Sequence, residues 1–168
     1  MTPSVLQDAL VSELGDLLSH ETYPNSRGEH VPIKVYPQDL PIQNSFDEEG
    51  EPFESTPDPY LIVRLNEGSV ENTDSAQTVD VILVICLYDN QSNRQGYRDV
   101  LHVMNQIMER YGKNQMVGPM EHGRTALPFT ILHPIKWVMQ DDDTHPYYFG
   151  AMNLKFETPA VCQEVLFT

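Results

Sequence analysis

The sequence predicts a single α+β domain, a mostly antiparallel sheet of four to five strands with two helices packed on it, in the order α-β-ββ-α-ββ. Three observations lead there. Two stretches repeat apolar residues at helical spacing, several shorter runs are apolar throughout or in alternation, and 168 residues are enough for one core but not for two full domains.

Thr2-Pro3-Ser4 supplies a cap and a proline suited to a first helical turn. Val5, Leu6, Ala9, Leu10, Leu14, Leu17 and Leu18 then recur at helical spacing, which predicts an amphipathic helix to about His20. From Pro24 to Pro59 the pattern breaks. Only His30 to Tyr36 reads as a short strand, and an acidic stretch punctuated by Pro37, Pro41, Pro52, Pro57 and Pro59 predicts a mobile arm over residues 38–58.

Tyr60 to Leu65 reads as a strand, Glu67 to Gln77 as a polar turn, and Thr78 to Tyr88 as a strand apolar on both faces, as a central strand is. Ser92 and Gln95 have capping-box spacing, Tyr97, Val100, Leu101, Met104, Ile107, Met108 and Tyr111 form one stripe, and Gly112 follows it, so a second helix is expected over about 93–111. Phe129 to Met139 and Tyr147 to Glu157 read as two strands joined by a polar turn. Trp137, alternating with Ile135 and Met139, is expected in the core.

Charge says more about partners than any motif does. Ten Lys and Arg stand against 25 Asp and Glu, a net charge of −15, which argues against a whole-molecule match to nucleic acid or an anionic membrane. The imbalance is uneven. Residues 47–80 hold ten acids and Arg64, a balance of −9, while residues 92–136 hold six bases against Asp99, Glu109 and Glu121, a balance of +3. Opposite patches on one subunit suit a head-to-tail contact between identical copies, which closes into a ring when the rotation permits. On this reading Arg94, Arg98 and Arg110 of one copy face Asp47, Glu48, Glu49 and Glu51 of the next. Arg94 and Arg98 are expected on the opening turns of helix two, with Arg110 closing it.

Catalytic spacing is missing. The chain has no G-x-S-x-G, no Gly-rich phosphate loop, no H-E-x-x-H and no C-x-x-C, so no enzyme, cofactor or catalytic residue is expected. Asp141, Asp142, Asp143 and His145 contain ligand types for a hard cation, and a metal-binding module on this loop is the alternative from a different class. The run lacks the alternate-ligand spacing and central glycine of an EF-hand loop, and a solvated hairpin tip is the plainer reading, so no metal ligand is assigned. His20, His30, His102, His122 and His133 show no pairing at i+3 or i+4 and read as surface or partly buried histidines. Met104 and Met108 read as core filler. Cys86 and Cys162 are expected to be free buried thiols rather than a disulfide scaffold. The first twenty residues, with Asp8, Glu13 and Asp16 among the apolar positions, predict neither a signal peptide nor a membrane span, and a cytosolic origin.

A resemblance adds to this. The block Val79-Asp80-Val81-Ile82-Leu83-Val84-Ile85, the helix Tyr97-Arg98-Asp99-Val100-Leu101-His102-Val103-Met104, Trp137 with Gln140-Asp141, and the hairpin His145-Pro146-Tyr147-Tyr148-Phe149-Gly150 entering a strand that ends Phe156-Glu157-Thr158-Pro159 resemble the tail terminator (tail completion) proteins of long-tailed bacteriophages. The similarity covers about residues 76 to 160. It implies a structural virion protein at the head–tail junction, assembled in the host cytoplasm as a hexameric ring. Such a ring caps the tail tube, ends its polymerisation and offers a surface to the head connector. The implied partners are further copies of the chain, the tail tube protein and the neck protein, with no membrane and no specific nucleic-acid contact, although DNA passes through the ring. The family has no catalytic residue to carry over. A different neck or head-completion connector is the alternative within the same class. The acidic segment from Pro37 to Pro59 departs from the family's usual connection.

Overall fold

The computed structural model describes residues 3–41, 57–118, 120–121, 124–125 and 129–158. Helix α1 (Pro3–Leu18) turns one side to the sheet, because Leu6, Leu10, Leu14 and Leu18 recur every fourth residue and all four are buried. Helix α2 (Tyr97–Lys113) buries Val100, Val103, Met104, Ile107 and Tyr111 in the same manner. Its start differs from expectation. No side chain among the described residues caps it: the capping box from Ser92 to Gln95 does not form, since Arg94 takes a left-handed conformation (φ 56°) that interrupts any helix there. The N-cap is Gly96, where a Cβ would lie 2.5 Å from the Tyr148 ring and 2.9 Å from Asp89 Cβ.

The strands are β1 (Tyr23–Pro24), β2 (His30–Val31), β3 (Lys34–Pro37), β4 (Tyr60–Ser69), β5 (Thr78–Tyr88), β6 (Met116–Val117), β7 (Met120–Glu121), β8 (Arg124–Thr125), β9 (Phe129–Met139) and β10 (Tyr147–Glu157). Six of them form one sheet in the order β3-β4-β5-β10-β9-β6. This corrects the expected four- to five-stranded, mostly antiparallel sheet in two respects. The sheet is mixed, because β3 runs parallel to β4, and it gains the two-residue β6, which is too short for an alternation to register. The expected single strand from His30 to Tyr36 is broken around Pro32. Its first half pairs with β1 in a separate two-stranded sheet and its second half joins the main one. The β1–β2 turn closes on Asn25, whose Oδ1 accepts from the N–H groups of Arg27 (3.0 Å) and Glu29 (2.9 Å), with Gly28 at φ 82°.

Both helices lie on one face of the sheet. There they meet Leu61 and Val63 of β4, Val81, Leu83 and Ile85 of β5, and Met152, Leu154 and Phe156 of β10. Tyr111 and Phe156 meet edge to face with ring centroids 6.0 Å apart. Met104 is core, as expected, and Cys86 is a buried free thiol, its pKa pushed up to about 12 chiefly by burial. Cys162 lies outside the described residues. Trp137 is not core, since half of it is exposed.

Most of the expected arm, residues 42–56, also lies outside the described residues, but its two ends are fastened. Gln38 donates its N–H to Val63 O (2.8 Å), its side-chain amide bonds both backbone groups of Leu65, and Asp39 pairs with Arg64. At the far end the buried Asp58 accepts from Ser26 N (2.8 Å).

Candidate functional site

Alternation along β4, β5, β10 and β9 gives the sheet a second face, and no helix packs on it among the described residues. Residues directly opposite across strands share a face, so its composition follows from the register. One row reads Ile62, Val84, Ala151 and Val138, and the next reads Arg64, Ile82, Asn153 and Lys136. The apolar row ends in a shallow depression of about 360 Å³ between Val84, Val138, Phe149 and Ala151. Beyond it, Tyr88 and Tyr147 meet edge to face at 5.4 Å. At the lower end Asp80 and Lys155 stand 3.6 Å apart.

The face leads to an open strand edge. Strand β6 covers β9 only at Phe129 and Thr130, which leaves Ile135 to Met139 without a strand neighbour on the outer side among the described residues. Gln140 N–H donates inward to Phe149 O (3.2 Å), and Ile131 N–H donates outward to Gln115 O (2.9 Å). Hydrogen-bonding direction alternates along a strand, so the backbone groups of Trp137 and Met139 point out of the sheet. Trp137 (50% exposed) and Val138 (61% exposed) flank that edge on opposite faces. The opposite edge is partly blunted. Pro37 in β3 has no N–H to offer, and its carbonyl already accepts from Asp39 N–H.

The basic residues expected to face a neighbour fare unequally. Arg94 lies before α2 rather than on it and is ion-paired with Asp143 of the same chain. That contact raises the pKa of Arg94 and holds the Asp143 carboxyl below its ordinary value. Arg110 closes α2 but is tied to Glu13 of α1 and donates to Asn114 O (2.8 Å) and Met116 O (3.3 Å). Arg98, in the first turn of α2, is exposed and makes no side-chain ion pair among the described residues. Asp47, Glu48, Glu49 and Glu51 lie outside the described residues. Within 141–145, Asp143 turns to Arg94, and His145 Nδ1 meets Tyr148 Oη at 3.1 Å. No group of three or more His, Cys, Asp or Glu side chains converges among the described residues. The loop instead walls a cleft of about 560 Å³ with Arg94, Tyr97 and Tyr148.

No family model and no curated protein matches the chain.

One contact that sequence reasoning missed is a clasp between α2 and the segment after α1. His102 Nε2 lies 3.0 and 3.1 Å from the two Glu21 oxygens, and Gln106 Nε2 and Tyr23 Oη donate to the same carboxylate, each at 3.0 Å. The His102 contact is the main reason the Glu21 pKa lies below its ordinary value. The second such contact is Glu13 with Arg110. Burial outweighs the guanidinium here and lifts the Glu13 carboxyl above its usual range. Arg110→Met is expected to cost about 1–2 kcal/mol at neutral pH, because it strands a partly buried carboxylate. A carboxyl whose folded pKa is raised destabilises most when ionised. The deficit should therefore shrink as pH falls through the raised Glu13 value toward the ordinary carboxylate range. Paired urea titrations at pH 7 and near pH 5 check this, and an equal deficit at both would refute it.

Proposed function

We propose that this chain is a structural virion protein, a subunit of a ring that caps a phage tail tube, ends tube growth and offers a joining surface to the head connector. The observation that carries the reading is the helix-free sheet face, with its apolar row running out to an exposed strand edge. It provides a broad contact surface where an enzyme would need a converging set of reactive groups. The stretches behind the resemblance support it as well. They fall on β5, β9, β10 and the start of α2, that is, on three adjacent strands of the main sheet and the helix packed on them.

The experiment is to mix the purified protein with tubes assembled from tail tube protein, then follow co-sedimentation and image the tube ends. Capping at one end, with tube elongation halted, is the expected result. Tubes that bind no protein and elongate unhindered would end the reading.

Arg98 is the cleanest probe of the charge split, since reversing Arg94 also places like charge against Asp143. Arg98→Glu should leave the far-ultraviolet circular dichroism unchanged and weaken assembly by about 0.2–1 kcal/mol per contact, more at low salt than at high. Light scattering across a salt series reads this out. Equal assembly at low salt would take Arg98 out of the contact.

A further inference from the structure

We propose that neighbouring copies join by strand addition, the open edge of β9 on one copy pairing antiparallel with the outer end of β4 on the next. The inference rests on the ring reading for its repeated head-to-tail contact, and it names the two surfaces that meet.

The second surface lies on the opposite edge of the same sheet. Strand β3 covers β4 from Tyr60 to Val63 and the Gln38 side chain caps Leu65, so Glu67, Gly68 and Ser69 have no strand neighbour outside them among the described residues. A register shift between Leu65 and Glu67 resets the alternation and turns Gly68 outward. Val70, just beyond, is 56% exposed. Two edges on opposite sides of one sheet make a heterologous contact, the kind that closes into a ring.

Charge selects a second copy as the occupant. Strand β9 carries Lys136 and His133 and no acid from Phe129 to Met139, whereas residues 65–80 carry Glu67, Glu71, Asp74 and Asp80 and no base. Strand direction agrees. Successive antiparallel pairs make β4 antiparallel to β9 within one copy, so copies set side by side in the same orientation bring these edges together antiparallel.

One register satisfies the side chains. With Trp137 opposite Gly68 of the next copy, the indole lies over a residue that has no side chain, and Ile135 faces Val70. Lys136 lies diagonal to Glu67 of the next copy, both on the face away from the helices. The two short strands then interlock as steps: β6, beside Thr130, falls where the neighbour's β4 has already turned, and the neighbour's β3 falls where β9 has ended. Counted along β5, where Val63 and Gly68 stand opposite Leu83 and Val79, this register offsets successive copies by four residues, ~14 Å, so the strands incline to the ring axis as they do in a closed barrel.

Proline is tolerated on an edge strand where the missing N–H faces outward, so Trp137→Pro removes the pairing donor and leaves the fold in place. The experiment measures assembly by analytical ultracentrifugation at high micromolar concentration for the parent, Trp137→Pro, Val138→Glu, Lys136→Glu, Glu67→Lys and the last two combined. Circular dichroism checks that each is folded. The parent should associate, and Trp137→Pro and Val138→Glu should each raise the half-assembly concentration roughly tenfold or more. Each charge reversal should weaken assembly at low salt, and the combined swap should restore it. A parent that stays monomeric, a folded Trp137→Pro that assembles like the parent, or a combined swap no better than its singles would overturn the proposal. If the edge variants dissociate an assembly that does not cap tail tubes, the ring-cap reading falls and the edge pairing stands. If the ring caps tubes and the variants leave it intact, only the edge pairing falls.

Discussion

Phe156→Ala is expected to cost about 3–5 kcal/mol and to lower the melting temperature by roughly 6–20 °C. Phe156 has no exposed surface and sits on β10 between Val79 of β5 and Ile131 of β9, with the Tyr111 ring edge-on above it. Truncation would leave a void beside Val79, Ile131 and Tyr111, two β-branched side chains and a ring, which have little freedom to fill it. Tyr111 makes this worse, because its hydroxyl is already buried without a hydrogen-bond partner among the described residues and cannot turn toward water without leaving the core. Urea unfolding with an unchanged slope reads the loss directly. A loss below about 1 kcal/mol would mean that α2 collapses onto the strand, contrary to the packing described.

Gly150→Leu should cost about 3 kcal/mol by the opposite mechanism, overpacking. Gly150 is the point on β10 where α2 comes closest: a Cβ there would overlap the end of the Met104 side chain and lie 2.8 Å from Val100 Cγ1. Met104 can bend away, but Val100 is branched on a helix and has little freedom. The helix must therefore lift from the strand. Gly112→Ala provides the contrast, since a Cβ at this helical position meets nothing within 4 Å and should stabilise by about 0.4–1 kcal/mol. Calorimetry on the two variants should shift the melting temperature in opposite directions, and shifts of the same sign would contradict the contact geometry.

What the sequence made legible was local. Both helices were predicted within a few residues of where they lie, and Thr78–Tyr88, Phe129–Met139 and Tyr147–Glu157 have the strand bounds their apolar patterns indicate. What it hid depends on partners distant in the chain. The parallel pairing of β3 with β4 joins residues on either side of a long connection and leaves no trace in the alternation of either. Trp137 alternates as a core residue does and shares a face with Met152, yet it lies in an edge strand beyond the cover of the helices. Periodicity reports which face a side chain takes, not whether anything lies above it. The same limit affected the basic residues: composition placed Arg94 and Arg110 in a positive stretch, while only the fold shows Asp143 and Glu13 beside them.

The strand order also dictates how the chain must be made. Among the described residues, strand β10 is the last strand of the sheet to be synthesised, yet it lies at the sheet's centre between β5 and β9, and residues 89–146 separate it from its partner β5. While those residues are translated, β5 has β4 along one side only, and its other edge carries open backbone groups beside apolar side chains on both faces. Closing so long a loop to reach the central pairing is slow compared with forming either helix. The nascent chain therefore passes through a stage in which its most apolar strand can pair with another copy as readily as with its own unfinished end.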